Sequence, residues 1–460
     1  MKNSTTRFFK INTAAHEKQY ELEMLIREFI RPDEFEIVEA ADADVVLPDM
    51  HMERNSAKRY IYDAMAALTG YKPEWGTLTG VRPTKLAGEL MSMHGYSRED
   101  VKKIFLEEYY VNEEKTELVL ETCENQRAFT VIPAGKSIGI YIGIPFCPTR
   151  CLYCSFTSNQ ADDAEKDRYL DALLKEISAV GRKLAYLGVY PESIYVGGGT
   201  PTSLSAEALD RLLGAAVNSF DMSRIKEFCV EAGRPDTITE EKLAAMKLNG
   251  VDRVSINPQT MNAVTLERIG RSHRISDVYD AFERVEASGI PHINTDLIAG
   301  LPGEDVGMFL HSLEVVTDLN PDNITVHTLA VKRASRLREQ ESDYNYESDA
   351  DVGYMVSYAR NYLKNNGYRP YYMYRQKHMI GNYENVAYAK PGTESVYNIR
   401  IMDEHQTVAA LGAGGISKAY YPEENRLERV PNVSNYDIYI QRIDEMIERK
   451  EKKLYLPFYR

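Results

Sequence analysis

The sequence predicts an α/β fold: a partial barrel of six β/α units, with a small α/β domain before it and an α+β extension after it. Three observations predict this. From about residue 137, short runs rich in β-branched and aromatic residues alternate with longer amphipathic stretches. Six consecutive β-then-α units require a parallel sheet with helices outside it. Polar and glycine residues recur where each run ends, as at the strand ends of the complete eight-unit barrel.

Taken in order, residues 1–135 read as the N-terminal α/β domain. It has strand-like runs at 7–11, 34–39 and 43–47 and helical patterns near 57–68, 83–93 and 112–127. Residues 75–83 are loop-like, with two glycines and a proline ahead of a helix. Residues 136–366 form the partial barrel. Its strands are expected at 138–144, 193–196, 227–230, 251–256, 292–297 and 324–329. Helices are expected near 163–187, 206–220, 240–249, 278–288, 308–319 and 349–366. Residues 367–460 form a third, tyrosine-rich region that ends in charged helical sequence around 436–453.

The bulk numbers set limits. A chain of 460 residues suggests two or three domains with ample core. A net charge of −14 without a long Lys/Arg run argues against general nucleic-acid binding. An anionic small substrate needs only local basic residues. No apolar run approaches the roughly 18–20 residues that span a bilayer, and the first ten residues lack a signal-peptide pattern. Five cysteines, three of them bunched, fit a reducing compartment rather than a disulfide framework. A soluble cytoplasmic protein is expected.

Cys147, Cys151 and Cys154 lie within eight residues. Three thiolates so close together can hold an iron–sulfur cluster. A 4Fe–4S cluster usually takes four cysteines, and no fourth lies nearby. One iron would stay open to bind a small molecule and pass it an electron. Zinc is the rival reading, since Cys₃His sites exist. No histidine lies within twenty residues of Cys147, but a distant one could fold in. Cys123 and Cys229 are not expected to be ligands. Cys229 falls inside a strand, where a thiol behaves as a small apolar group.

The other polar groups gather at strand ends. Gly197-Gly198-Gly199-Thr200 follows the second strand, Glu231 closes the third, and Asn257-Pro258-Gln259 follows the fourth. Asp296 closes the fifth, and Lys332, Arg333 and Arg336 follow the sixth. Each has a plainer reading. A glycine triplet is often only a tight turn. Glu231, Gln259 and Asp296 could each cap a helix. Their joint placement beside the cysteines favours one shared cavity.

The Cys-x₃-Cys-x₂-Cys spacing, preceded by Tyr141-Ile-Gly-Ile-Pro-Phe146 and joined by Gly-Gly-Gly-Thr-Pro-Thr at 197–202, resembles the radical S-adenosylmethionine (SAM) superfamily. More narrowly, residues 137–460 resemble the oxygen-independent coproporphyrinogen III oxidase family. Residues 75–83, 374–378 and 381–385 resemble its HemZ branch, the coproporphyrinogen dehydrogenases. The resemblance implies a radical-SAM barrel whose cofactors are a 4Fe–4S cluster and SAM. It implies cluster ligands Cys147, Cys151 and Cys154. Tyr141, Gly198, Gly199, Thr200, Glu231, Gln259, Arg271, Asp296 and Ile416 would contact SAM, with Tyr141 and Arg271 also catalytic. Two positions depart from the family. Phe156 stands where the best-known oxidases carry a further cysteine, as in the haem-chaperone branch, HemW. Gly143 replaces a frequent histidine.

The implied reaction is reductive cleavage of SAM to a 5′-deoxyadenosyl radical, which abstracts a hydrogen atom from a propionate side chain. Loss of CO₂ and one electron leaves a vinyl group. Two rounds convert coproporphyrinogen III to protoporphyrinogen IX in haem biosynthesis. The alternatives are a HemW-like haem chaperone and another SAM-dependent tetrapyrrole-modifying radical enzyme. The implied partners are a tetrapyrrole substrate, an electron donor of flavodoxin or ferredoxin type, and an electron acceptor. Arg150, Lys332, Arg333, Arg336, Arg375 and Lys377 are candidates to hold the substrate's four carboxylates. Several could equally make surface ion pairs. Tyr371, Tyr372 and Tyr374 could cover the tetrapyrrole or simply fill the core.

Overall fold

The structure is a computed structural model that describes residues 8–31, 33–80, 82–130, 136–154, 156, 158–330, 349–376 and 382–459. These fall into two compact units, 1–124 and 125–460. In the first unit, strands β1 (Phe9–Asn12), β2 (Phe35–Ile37) and β3 (Val45–Val46) form a parallel sheet in the order β2-β1-β3. Parallel neighbours need a crossover between them. The helix Gln19–Ile26 supplies it, and its Leu22 and Leu25 bury against Ile11, Ile61 and Met65. This helix has no side-chain cap and only eight residues, so its sequence lacks a start signal.

Among the described residues the second unit is built on one sheet of eleven strands. Its central strands are β4 (Ser137–Ile144), β5 (Tyr190–Gly198), β6 (Glu227–Glu231), β7 (Arg253–Ser255), β8 (His292–Ala299) and β9 (Asn323–Thr328). All six are parallel and adjacent in chain order. β10 (Arg369–Arg375) and β11 (Glu384–Ala389) continue the sheet antiparallel beyond β9. β12 (Val408–Leu411) pairs parallel to β4 and leads on to β13 (Ile416–Tyr421) and β14 (Arg426–Pro431). The C-terminal strands thus extend the barrel sheet at both ends. Among the described residues β10 and β14 are its edges, so the barrel is partial, as the sequence predicts.

The pattern within each strand separates two faces. On β4, Ile138, Ile140, Ile142 and Ile144 are fully buried. Gly139, Tyr141 and Gly143 point to the opposite, inner face, in register with Ser193, Tyr195 and Gly197 of β5. Glu227, Cys229 and Glu231 continue that inner row on β6, followed by Arg253 and Ser255 on β7, then Asn294 and Asp296 on β8. Burial on both faces is the normal condition of a parallel sheet.

A helix that the sequence reading did not identify, Val396–Asp403, lies against this inner face. Glu227 anchors its first turn, accepting from Ser395 Oγ at 2.8 Å, from Tyr397 N at 3.3 Å and from Val396 N. Arg400 donates to buried Glu192 at 2.9 Å. The helix's Tyr397 ring stacks on Tyr195, with centroids 4.5 Å apart. Among the described residues no helix is long and apolar enough to cross a membrane.

Candidate functional site

A cavity of about 380 Å³ opens at the C-terminal ends of β4 to β9. Its rim and walls include Cys147, Cys151, Cys154, Gly198, Gly199, Thr200, Glu231, Gln259, Arg271 and Asp296. The structure therefore brings together ten of the residues singled out from sequence. The cysteine loop follows directly from β4. It is tied down by hydrogen bonds from Cys147 N to Asn159 O at 3.0 Å and from Leu152 N to Ile269 O at 3.0 Å. Cys151 is buried, and Cys147 and Cys154 are half-buried. Burial pushes the Cys147 thiol up against hydrogen bonds from Thr200 and Ser158, and it pushes Cys154 up as well. Among the described residues no three His, Cys, Asp or Glu side chains are arranged to hold a single metal ion. A 4Fe–4S cluster instead takes one cysteine per iron, so its thiolates ring a wider space.

The glycine triplet lets β5 close on the cysteine loop. Gly199 N donates to Ile144 O at 2.7 Å, and Thr200 N donates to Phe146 O at 2.7 Å. A Cβ on Gly199 would lie 2.5 Å from Phe146 O and 3.0 Å from Cys147 Sγ. Gly198 has φ +109°, a region that only glycine enters readily. At Gly197 the missing side chain leaves room for Glu231, whose Cδ would lie 3.2 Å from a Cβ there.

Glu231, Gln259 and Asp296 do not cap helices. The N-cap positions of the helices that follow them are Thr239, Asn262 and Asp305. Glu231 accepts from Tyr195 Oη at 2.5 Å. Burial, aided by Asp296, pushes its carboxyl up to about 7 despite that bond. Gln259 has φ +69°, a left-handed conformation that is costly for a residue with a Cβ. Two backbone bonds hold it there, Gln259 N to Asp296 O at 3.0 Å and Ile298 N to Gln259 O at 3.0 Å. Gln259 Oε1 and its neighbour Asn257 Oδ1 are buried, belong to residues that line the cavity and have no hydrogen-bond partner among the described residues. Such oxygens are costly to bury unless a ligand satisfies them. Arg271 is held by the carbonyls of Gly233 at 3.2 Å, Pro258 at 3.4 Å and Asn257. A thiol trio, a backbone cradle without side chains and unmatched polar oxygens in one cavity suit a cluster together with a polar cationic cosubstrate.

Other expected residues lie elsewhere. Tyr141 is not among the lining residues, but its hydroxyl would stand 3.3 Å from a Cβ on Gly198. Its ring fills the space over Gly143, where a Cβ would come within 3.2 Å of it. Ile416 starts β13, is 50% exposed and does not line the cavity. Arg150 lines a neighbouring recess with Gln160 and Tyr436. Arg375 is buried and donates to Asn382 O at 3.2 Å, away from the cavity. Lys332, Arg333, Arg336 and Lys377 lie outside the described residues. Of the three tyrosines, Tyr372 and Tyr374 line the cavity as a stacked pair 6.4 Å apart, whereas Tyr371 is core.

Among the lining residues that the sequence reading passed over are Tyr195, Arg234 and His327. Arg234 is buried and reaches Thr149 Oγ1 at 2.8 Å and Ser272 Oγ, tying β6 to the cysteine loop. His327 stands 3.6 Å from Asp296 and 3.5 Å from Tyr374 Oη. The sequence did offer one signal, because Arg234 sits just past a strand end, beside Glu231.

Comparison with known proteins agrees with this geometry. Residues 141–316 match the family described as the Radical SAM superfamily. The chain is 40% identical over 401 residues to the oxygen-independent coproporphyrinogen-III oxidase-like protein HemZ of Bacillus subtilis (strain 168), covering 86% of this chain and 80% of that one. It is 32% identical over 289 residues to the heme chaperone HemW of Lactococcus lactis subsp. lactis (strain IL1403), covering 61% and 69%. The solved structure of coproporphyrinogen III oxidase (HemN) from Escherichia coli, a radical SAM enzyme, shares the fold. It has a TM-score of 0.55 at 22% identity, over 71% of this chain and 73% of that one. The chain therefore belongs to the radical SAM superfamily, whose cofactors are a 4Fe–4S cluster and SAM, and within it to the oxygen-independent coproporphyrinogen III oxidase family on its HemZ branch.

Proposed function

We propose that this chain is an oxygen-independent coproporphyrinogen III oxidase that decarboxylates two propionates to vinyl groups, giving protoporphyrinogen IX. The observation that carries the reading is one cavity that joins the three cysteines to Glu231, Gln259, Arg271 and Asp296, then runs on to Tyr372 and Tyr374. Its 40% identity to the coproporphyrinogen-III oxidase-like HemZ supports this chemistry over others of the superfamily.

When bound, the cluster and SAM supply one-electron chemistry able to remove a hydrogen atom from an unactivated carbon. Cys147, Cys151 and Cys154 would hold the cluster. Gly198, Gly199 and Thr200 would offer backbone to the amino-acid end of SAM. Glu231 and Asp296 would offset its positive charge, and Asn257 and Gln259 would match its polar groups. Arg271 would occupy the carbonyls of Gly233, Asn257 and Pro258 at the wall of that site. Tyr372 and Tyr374 would meet the face of a substrate pyrrole. Arg333, Arg336 and Lys377 are proposed for its carboxylates, with Arg150 at the neighbouring recess and Arg375 in a supporting position. Each round removes one hydrogen atom, one CO₂ and one electron, the last passed to a separate one-electron acceptor.

One feature favours a second reading, a HemW-like haem chaperone. Phe156 is 64% exposed at the cavity, where the best-known oxidases carry a cysteine. The test is anaerobic: reconstituted protein with reductant, SAM and coproporphyrinogen III. The oxidase reading expects 5′-deoxyadenosine, CO₂ and a divinyl product. Stable haem binding with none of the three would establish the chaperone instead.

A further inference from the structure

We infer that Tyr195 is a positioning residue for SAM, acting through Glu231, and that the buried helix Val396–Asp403 holds Tyr195 in place. The inference rests on the reading of the cavity as the SAM site.

The geometry begins with register. Tyr141 pairs with Tyr195 across β4 and β5, and Tyr195 pairs with Cys229 across β5 and β6. These positions all face inward. From the other side the Tyr397 ring comes in flat, 4.5 Å from Tyr195 and 6.3 Å from Tyr141. The Tyr141 and Tyr195 rings are 6.4 Å apart and inclined by 16°. Three near-parallel rings therefore fix the Tyr195 side chain. Its hydroxyl emerges at the cavity wall and donates to Glu231 Oε1 at 2.5 Å. The absent side chain at Gly197 gives that carboxylate its place.

A plainer reading makes Tyr195 a core aromatic. A core role requires the ring and is indifferent to the hydroxyl. The hydroxyl, however, is the one side-chain donor to Glu231 among the described residues. It does two things. It commits Oε1, fixing the carboxylate at the cavity wall, and it favours the ionised form. An ionised carboxylate is what a ligand bearing a sulfonium requires.

Six titratable groups face Glu231. They are Tyr195 from β5, Asp296 from β8, His327 from β9, Cys229 from its own strand, Tyr141 from β4 and Tyr397 from the helix. Burial and Asp296 raise the carboxyl to about 7, while Tyr195 and His327 oppose them. Removing the Tyr195 hydroxyl therefore raises it further.

The test is the pH dependence of SAM affinity, measured by anaerobic calorimetry on cluster-loaded protein from about pH 5.5 to about pH 8.5. Wild type should lose affinity as acid neutralises Glu231. Tyr195→Phe keeps the ring, so its iron content and thermal midpoint should match wild type. Its acid limb should move up by about one pH unit, with affinity recovered at the alkaline end. Replacing Tyr195 by a fluorotyrosine of lower hydroxyl pKa strengthens the donor and should move the limb down. Glu231→Gln should abolish the limb. A limb unmoved in Tyr195→Phe, or an equal loss of affinity at every pH, overturns the inference alone. Wild-type protein that holds its cluster yet binds no SAM at any pH overturns the reading of the cavity as well.

Discussion

Arg271 is the cavity's most constrained cation, with its guanidinium spread across carbonyls of three residues on two loops. Arg271→Ala should leave cluster iron unchanged and weaken SAM binding by about tenfold or more, as calorimetry would show, because the guanidinium that ties the two loops together at the cavity wall is lost. Glu304 gives a pH prediction. It is fully buried, accepts from Asn262 Nδ2 at 2.7 Å and from Thr260 Oγ1, and burial raises its carboxyl to about 7. A carboxyl raised from its unfolded value of 4.5 holds a proton in the folded state that the unfolded chain releases, so it costs stability as pH rises from 4.5 through 7. Glu304→Gln mimics the protonated form. It should be near neutral at about pH 5 and stabilising by on the order of 2 kcal/mol at about pH 8, measured by denaturant unfolding at both pH values. Residues like Cys147, Cys151 and Cys154 were legible because their chemistry is local in sequence. Tyr195 was not, because its partner Glu231 lies 36 residues away and meets it only through sheet register.

Elements that carry their own signals were read closely. The helix Asp163–Leu187 was expected at its observed bounds, and it opens on a capping box between Asp162 and Glu165. The helix Val396–Asp403 passed unread because the group that anchors it, Glu227, sits 168 residues earlier than Ser395. The glycine triplet is an element-scale device, since it lets the end of β5 run against the cysteine loop. Gly199→Ala would force a Cβ toward Phe146 O, 2.5 Å away in the present backbone. That strain should push the cysteine loop outward. The expected outcome is a loss of about 2–4 kcal/mol in stability together with reduced cluster occupancy, measured by unfolding and by iron and sulfide analysis. Retention of full iron would show that β5 and the loop can separate without harm.

The C-terminal region is part of the barrel sheet at both ends, a placement periodicity could not reveal, because sheet order is set by contacts distant in sequence. Its final helix, Ile443–Lys453, is fastened by a buried ion pair, Lys450 Nζ to Glu176 Oε1 at 2.7 Å. The other oxygen of Glu176 accepts from Gly412 N at 2.8 Å, at the turn that precedes Ile416. Lys450→Met should leave Glu176 without its counter-ion and lower stability by about 3–5 kcal/mol, seen as a depressed thermal midpoint. The claim beneath all of this is that three thiolates hold a cluster with one iron open to SAM in this cavity. The direct measurement is the electron paramagnetic resonance spectrum of the reduced, anaerobically reconstituted protein, recorded with and without SAM. A 4Fe–4S signal that changes shape when SAM is added is the predicted result. A signal indifferent to SAM, or protein that carries zinc in place of iron and sulfide, would contradict it.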